Sequence, residues 1–277
     1  MMPEFPFLSF LGGFGWAALG VVVLLAATFA MAQVQKRHSV IDTAWGLGFV
    51  VIAAITFVTS AQTSVDAAGD DARRWLLLLL TAAWGLRLAG FIGWRARDGA
   101  EDPRYEDMLS KAPGSRNIYA LRKIYLTQGV VMLFVSLPLQ VGMYATGPLG
   151  WLAWVGAVIW LVGFYFESSG DYQMAAFRNN PANKGKVMDR GLWRYTRHPN
   201  YFGDAAVWVG LFLVSADSWP GVLTILSPAL MIWTLSNKTG KPLTEKRLST
   251  RPGYREYIEN TSGFFPLPPK PGRGASS

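Results

Sequence analysis

Apolar residues come in blocks of about 20 along this chain, separated by shorter polar segments. A helix needs a block of about this length to cross the roughly 30 Å of hydrocarbon in a bilayer. Seven blocks are present: Ser9–Ala32, Val40–Ser60, Trp75–Trp94, Ile124–Ala145, Trp151–Tyr172, Tyr201–Ala216 and Trp219–Ser236. The pattern predicts an all-α polytopic membrane protein with about seven transmembrane helices.

The last two blocks are short, and only a tight Asp217-Ser218 link joins them. A long kinked hairpin that does not fully span the membrane is the alternative for this pair. Residues 238–262 mix charged and apolar positions and predict a short amphipathic helix on the membrane surface, interrupted near Pro252. We expect residues 1–265 to form one membrane domain and the Pro- and Gly-rich tail 266–277 to be disordered.

The composition excludes several classes of protein. Hydrophobic residues make up 51% of the chain and charged residues 16%, so the chain has enough apolar surface to fold and is not of the disordered class. It contains no Cys, which excludes disulfides and thiolate chemistry. The two His residues, His38 and His198, argue against a histidine metal site, so we expect no bound metal.

The positive charges predict how the chain lies in the membrane. Of 26 Lys and Arg residues, Arg73 and Arg74 fall in the second loop and Arg87 inside a block, and the other 23 lie in the first, third and fifth loops and the C-terminal segment. With seven spans these four regions share one side, which the positive-inside rule assigns to the cytoplasm. We therefore predict an N-terminus outside, a C-terminus in the cytoplasm, a bacterial inner membrane location and no nucleic-acid partner.

Charged residues within the apolar blocks predict a polar cavity. Each such charge costs about 2.5–3.5 kcal/mol at the bilayer centre. Nearly all of them fall in the cytoplasmic halves of their spans, so the cavity should open to the cytoplasm. In the alternative, structural interpretation Arg87 pairs with one carboxylate and the others extend to the interface. The residues concerned are Asp42, Arg87, Glu167, Asp171 and Asp204.

The densest polar stretch runs from Arg178 to Asp204. Within it, Pro199 suits the first turn of a helix. The free amides of that turn, with Arg194 and Arg197 beside them, would form an anion site of the kind that phosphates favour. The alternative is an ordinary cytoplasmic loop that obeys the positive-inside rule.

The residue order gives this stretch a more specific interpretation. Arg-His-Pro-Asn-Tyr-Phe-Gly-Asp at 197–204, after Gly-Leu-Trp at 191–193, resembles the C-terminal signature of the membrane steroid and sterol reductases, which include the steroid 5α-reductases. The ending from Arg251 to Tyr257 fits as well, and the whole chain resembles bacterial relatives known as a domain of unknown function. The resemblance implies transfer of hydride from NADPH, bound from the cytoplasmic side by residues of about 151–265. The acceptor would be an activated C=C bond of a lipid or steroid-like substrate, as for a 3-oxo-5α-steroid 4-dehydrogenase.

The resemblance also implies which residues hold NADPH. It assigns the phosphates to Arg178, Lys186 and Arg197. It assigns the nicotinamide-ribose portion to Asn200 and Asp204, which are one turn apart. The adenosine end is assigned to Glu245, Tyr254 and Arg255, near the C-terminus. Asp171, His198 and Tyr201 are expected beside them.

On the substrate side the chain departs from the steroid 5α-reductases, in which a Glu and a Tyr on the second and third spans polarise the 3-keto group. Trp84 stands where the third-span Tyr is expected, and it cannot donate a phenol proton. Asp42 is expected to replace the Glu, and Tyr125 on the fourth span is the candidate proton donor. An interfacial belt tyrosine is the alternative for Tyr125.

Two other functions remain open. Isoprenylcysteine and phospholipid methyltransferases share the Arg-His-Pro triplet of 197–199 and bind S-adenosylmethionine in a related helical cavity. They more often carry a small or apolar residue where this chain has Asn200 and Asp204. The second alternative is a lipid-binding membrane protein without turnover.

Overall fold

The computed structural model describes residues 5–62, 70–97, 99–238 and 240–270, and the regular secondary structure in these ranges is helical throughout. The all-α class is therefore confirmed. In chain order the α-helices are α1 (Phe7–Gln35), α2 (Ile41–Ala61), α3 (Asp71–Ala96), α4 (Pro103–Ser110), α5 (Arg116–Ala120), α6 (Leu126–Val135), α7 (Leu137–Tyr144), α8 (Trp151–Asn179), α9 (Pro199–Ala216), α10 (Trp219–Val222), α11 (Leu226–Asn237), α12 (Lys241–Leu248) and α13 (Tyr254–Asn260). A π-helical turn at Leu121–Tyr125 joins α5 to α6.

Six helical segments in the described ranges are long and apolar enough to cross a membrane, so the chain is a multi-pass membrane protein. They are Phe7–Gln35, His38–Ala61, Asp71–Ala96, Arg116–Tyr144, Trp151–Asn179 and Trp219–Lys246. The predicted block Tyr201–Ala216 forms α9, which is not among the six. The last predicted block is broken into α10 and α11 by a turn at residues 223–225.

The chain divides into two compact units. The first comprises Met1–Trp154 and Leu211–Ser227, and the second comprises Val155–Gly210 and Pro228–Ser277. Where the sequence predicts one domain with a cofactor-binding part from about residue 151, the second unit begins at residue 155.

In the first unit, α2 and α3 approach each other backbone to backbone at Gly46 and Gly85. A Cβ atom at Gly85 would lie 2.6 Å from the carbonyl oxygen of Gly46, so no larger residue fits without moving the helices. Small residues allow such close packing of membrane helices. Phe49 and Trp84 pack nearby on the same two helices, with ring centroids 5.6 Å apart and both side chains fully buried.

The start of α3 is held by a buried arginine. The Asp70 side chain caps the helix by accepting from the backbone N–H of Arg73 at 2.8 Å. The Arg73 side chain is 1% exposed and donates to the Asp217 carboxylate at 3.1 Å and to the Gly147 carbonyl at 2.9 Å. Arg73 and Arg74 both lie in the first turn of α3, so the prediction that they lie in a loop is wrong. Burial of the Arg73 guanidinium is compensated by oxygen acceptors from distant parts of the chain.

In the second unit, α8 and α9 are antiparallel and pack through glycines that recur every seven residues. These are Gly156, Gly163 and Gly170 on α8 and Gly203 and Gly210 on α9. A Cβ atom at Gly163 would lie 2.6 Å from the Gly203 carbonyl oxygen, and one at Gly210 would lie 2.6 Å from that of Gly156. From Gly156 to Gly170 the two helices therefore stay in contact for about 21 Å.

The predicted C-terminal helix and its interruption are confirmed as α12 and α13, which are separated at Pro252 and Gly253. The first part of the predicted tail forms backbone hydrogen bonds within the second unit. The Leu267 N–H donates to the Tyr195 carbonyl at 3.0 Å, and the Lys270 N–H donates to the Asn260 carbonyl at 3.0 Å. The remaining predicted tail residues, 271–277, lie outside the described residues.

Candidate functional site

The end of α8 and the start of α9 bring polar residues of the second unit together. Because Gly170 has no side chain, Pro199 and the backbone of Asn200 pack directly against it. This contact places Asn200 beside Asp171, and Asn200 Nδ2 donates to Asp171 Oδ1 at 3.2 Å. Two of the expected cofactor residues, from different helices, are therefore in contact. Asp204 lies one turn further along α9 and is half-buried.

Arg197 is buried, and its guanidinium is bound by the chain itself. Nε donates to Glu245 Oε1 at 2.8 Å, and Nη1 donates to the carbonyl oxygens of Ile258 at 3.0 Å and Thr261 at 2.5 Å. The backbone N–H of Arg197 also donates to the Ser262 carbonyl at 2.9 Å. These contacts occupy two of the three guanidinium nitrogens. Arg197 thus attaches the start of α9 to α12 and to the end of α13.

Glu245 is shared between Arg197 and His198. His198 Nε2 lies 3.3 Å from Glu245 Oε1, and the imidazole stacks on the Tyr201 ring with centroids 5.3 Å apart. Tyr201 Oη lies 3.2 Å from Thr244 Oγ1. Burial lowers the pKa of His198 below its ordinary value, although Glu245 opposes the shift. His198 is therefore a neutral, stacked ring at neutral pH.

A cavity of about 210 Å³ lies in the second unit, and we call it the cationic cavity. Its lining includes four cationic side chains, Arg178, Lys184, Arg197 and Arg251, and four aromatic ones, Phe177, Trp193, Tyr254 and Tyr257. Among the described residues that line it there is no carboxylate. This chemistry suits an anionic ligand with a flat, aromatic part.

Hydrogen bonds hold two aromatic walls of the cationic cavity in place. Trp193 Nε1 donates to the Gly170 carbonyl at 3.1 Å, and Tyr257 Oη donates to the Trp193 carbonyl at 2.6 Å. Burial raises the pKa of Tyr254 to about 12 and also raises that of Tyr257, so both phenols keep their protons at neutral pH. Since Gly170 directly precedes Asp171, Trp193 connects the cavity to the Asp171–Asn200 pair.

Eight of the eleven expected cofactor residues fall into three groups in the structure, and Lys186, Asp204 and Arg255 do not. Arg178, Arg197 and Tyr254 line the cationic cavity; His198, Tyr201 and Glu245 form the neighbouring buried cluster; and Asp171 contacts Asn200. Lys186 and Arg255 are exposed and do not line the cavity. The Arg255 side chain is 94% exposed and pairs with Glu259 at 3.3 Å.

Five of the charged and aromatic lining residues were not predicted as cofactor residues: Phe177, Lys184, Trp193, Arg251 and Tyr257. A signal was present for four of them. Lys184 lies in the dense polar stretch from Arg178 to Asp204, Trp193 lies in the Gly-Leu-Trp segment that supports the resemblance, and Arg251 and Tyr257 lie in the ending that fits it. Nothing in the local sequence marks Phe177.

The first unit holds both catalytic candidates. Asp42 Oδ1 accepts from Tyr105 Oη at 2.5 Å, and Asp42 Oδ2 accepts from Arg104 Nη2 at 3.1 Å. Gln128 Nε2 donates to the Tyr105 oxygen at 3.4 Å. Burial, with a contribution from the Asp42 charge, raises the pKa of Tyr105, so this phenol keeps its proton at neutral pH. The sequence missed Tyr105, which lies in the loop between two predicted spans.

Tyr125 lies on the π-helical turn, a kind of turn found frequently at functional sites. Its hydroxyl lies 3.2 Å from His38 Nδ1, and its ring meets that of Phe29 edge to face with centroids 5.2 Å apart. Tyr125 is 3% exposed, whereas a belt tyrosine would face the lipid. His38 is four residues before Asp42, and Tyr125 is three residues before Gln128, so the two candidates come from neighbouring turns of the chain.

The fold is that of a polytopic helical membrane protein, and its second unit contains a cavity lined by four cationic side chains. The chain belongs to the family described as "Protein of unknown function (DUF1295)", which it matches over residues 28–261. It is 25% identical over 270 residues to "Uncharacterized protein C594.04c" of Schizosaccharomyces pombe, covering 85% of this chain and 72% of that protein.

A "Probable O-methyltransferase ustE" of Ustilaginoidea virens is 35% identical to the chain over 101 residues. The match covers 35% of this chain and 34% of that protein, so the chain spans about a third of this relative. No solved structure matches the chain.

Proposed function

We propose that this protein is a membrane-embedded reductase that uses NADPH to reduce an activated C=C bond of a lipid or steroid-like substrate. The observation that carries the proposal is the cationic cavity, where four cationic and four aromatic side chains surround one space. Phosphates favour cations, and a nucleobase favours aromatic walls. A dinucleotide phosphate such as NADPH combines both requirements in one molecule.

The size of the cavity indicates which part of the cofactor it takes. Sites for whole small molecules usually occupy about 300–1,000 Å³, so the 210 Å³ here suits the adenosine end and its 2′-phosphate. Arg178, Lys184 and Arg251 would hold phosphate, and Tyr254 would cover the base. The Asp171–Asn200 pair would hold the nicotinamide-ribose portion. When bound, NADPH supplies the hydride of the reduction.

On the substrate side, we assign the proton to Tyr105. Asp42 accepts its hydrogen bond at 2.5 Å, and Gln128 donates to the same oxygen. For the transfer the hydroxyl would turn its proton from Asp42 to the substrate, and the Gln128 amide would remain as donor to the phenolate that is left. The raised pKa keeps the phenol protonated until negative charge develops on the polarised group of the substrate. Tyr125, paired with His38, is the second candidate for the same role.

We propose that the chain crosses the membrane seven times and that the cationic cavity faces the cytoplasm. Helix α9 contacts the candidate span α8 over about 21 Å, a large part of the roughly 30 Å hydrocarbon thickness, so we infer that α9 crosses the membrane with it. Seven spans place the basic loops and the C-terminus in the cytoplasm and the N-terminus outside, as in a bacterial inner membrane. The cationic cavity would then open where NADPH is available.

A methyltransferase is the second candidate, because one relative is named "Probable O-methyltransferase" and the Arg-His-Pro triplet of 197–199 is present. The lining of the cationic cavity argues against it, since S-adenosylmethionine carries a positive sulfonium that Arg178, Lys184 and Arg251 would repel. A lipid-binding protein without turnover is the third candidate and predicts no nucleotide binding at all.

Ligand-induced stabilisation separates the three candidates. The protein, purified in detergent, is heated with NADPH, NADH, adenosine 2′,5′-bisphosphate or S-adenosylmethionine, and stabilisation should follow RT ln(1 + [L]/Kd). We expect NADPH and the bisphosphate to stabilise most. Stabilisation by S-adenosylmethionine alone would favour the methyltransferase, and stabilisation by none of the four would favour the lipid-binding protein.

A matched pair of variants tests the site itself. Arg251→Gln removes a charge from the cavity lining, and one charge-assisted hydrogen bond of about 1.5–3 kcal/mol corresponds to a loss of NADPH affinity of roughly 10- to 100-fold. Lys246→Gln removes an exposed charge on α12 that does not line the cavity, so it should change the affinity less than about twofold. Equal affinities in both variants would exclude the cavity as the phosphate site.

A further inference from the structure

A second, larger cavity lies in the first unit, and none of the residues that line it has a role in the proposed function. It is a groove of about 900 Å³ between α1, α2 and α3, and we call it the arginine-ended groove. It is lined by Ala27, Thr28, Met31, Gln35, Arg37, Val40, Thr43, Ala44, Leu47, Gly93, Ala96, Arg97 and Gly99. Ala27 and Met31 are exposed on the candidate span α1, so the groove is open along the surface that faces the bilayer.

The lining changes from apolar to cationic along the helices. Ala27, Met31 and Leu47 line the apolar part, and Arg37 and Arg97 lie at the end where the spans leave the membrane. Eight residues of α1 separate Ala27 from Gln35, which gives the apolar part a length of about 12 Å. The described residues that line the groove include no carboxylate. Position 98, between the lining residues Arg97 and Gly99, is outside the described residues. The groove thus matches a molecule with an apolar chain and an anionic head.

Among the described residues, the acceptors that hold the Arg37 side chain in place are neutral. Its Nε donates to the Gln35 side-chain oxygen at 2.8 Å, and its Nη1 donates to the backbone carbonyl oxygens of Ala96 and of Gly99, the latter at 2.8 Å. All three acceptors are neutral, so they orient the guanidinium and leave its charge available to a ligand. A guanidinium oriented in advance loses little entropy when it binds a phosphate.

We propose that the arginine-ended groove binds an acidic phospholipid of the surrounding bilayer, with an acyl chain between α1 and α2 and the phosphate at Arg37 and Arg97. Basic pockets between membrane helices are typical sites for acidic lipid head groups. The bilayer supplies this ligand at high local concentration, and the open side of the groove gives it lateral access. The site would exist whether or not the second unit binds a nucleotide.

Binding can be measured on the full-length, delipidated protein in detergent by native mass spectrometry. The protein is titrated separately with phosphatidylglycerol, phosphatidylcholine and palmitate. Each arginine near a membrane surface should change the affinity for an anionic lipid about fivefold. We therefore expect Arg37→Gln and Arg97→Gln to weaken phosphatidylglycerol binding about fivefold each, and the double variant to weaken it about 30-fold. Arg122→Gln, at an exposed arginine outside the groove, should leave binding unchanged.

A steric variant keeps the test independent of any folding defect caused by the loss of Arg37. Ala27→Trp fills the groove from an exposed position and should abolish phosphatidylglycerol binding, whereas Ala30→Trp, exposed on α1 outside the groove, should not. Equal binding of phosphatidylglycerol and phosphatidylcholine by the wild-type protein would overturn the proposal. So would a preference for palmitate, or unchanged binding in both Ala27→Trp and the double arginine variant.

Discussion

Replacing Arg197 by Gln should release the C-terminal segment from the start of α9. The change removes three charge-assisted hydrogen bonds, to Glu245, Ile258 and Thr261. The side chains of Arg197 and Glu245 are only 9% and 21% exposed, so water replaces these bonds poorly. Removing one partner of a buried ion pair costs about 3–5 kcal/mol. At the lower end, about 3 kcal/mol, the open state of the segment becomes on the order of 100-fold more populated.

Hydrogen–deuterium exchange on the detergent-solubilised protein measures this opening directly. Amides of α13 and the following residues to Ser262 should lose about two orders of magnitude of protection, because local opening controls their exchange. Arg194→Gln, at an exposed arginine three residues earlier, should leave protection unchanged. If Arg197→Gln keeps full protection but loses NADPH binding, Arg197 contributes to ligand binding. It then does not attach the C-terminal segment to α9, and the reasoning from its contacts is wrong.

Three further predictions concern other parts of the chain. Arg73→Met leaves Asp217 buried without its partner and should destabilise the protein by about 3–5 kcal/mol in thermal or denaturant unfolding, whereas adding Asp217→Leu should restore part of the loss. The pKa of His198 is lowered by burial from an ordinary 6.5, so below that pH the unfolded chain takes up a proton that the folded chain does not. The melting temperature should therefore fall as the pH decreases from about 6.5 towards the native pKa, and His198→Gln should weaken this dependence. Tyr105→Phe should lower kcat about 100-fold and leave the Kd for NADPH unchanged; a larger kcat loss in Tyr125→Phe than in Tyr105→Phe would reassign the proton donor.

The sequence located the long apolar helices, although not the break in the last block, because their main determinant is local. A run of about 20 apolar residues specifies a membrane helix wherever it occurs in the chain. Pro252 and Gly253 likewise mark the interruption between α12 and α13 by their own backbone preferences. The glycines at intervals of seven in α8 and α9 are also visible in the sequence, but only the structure shows that they form one contact.

The sequence was less informative about charged side chains because it does not show their acceptors. Arg73 was assigned to a loop, but its partners Gly147 and Asp217 are more than 70 residues away. Arg197 was assigned to a phosphate, yet carbonyl groups about 60 residues later bind it. Lys184 and Arg251 join one cavity from segments that show no common pattern.

By itself the sequence determined that this is a helical, multi-pass membrane protein and where its polar residues concentrate, since hydropathy and helix termination depend on neighbours in the chain. Only the tertiary structure decided which cations are bound by acceptors of the protein itself, which cations line a cavity, and which phenol donates to Asp42. The physical reason is that burying a charge is tolerable only where oppositely polarised atoms converge on it. That convergence depends on how distant segments pack and not on the residues beside the charge.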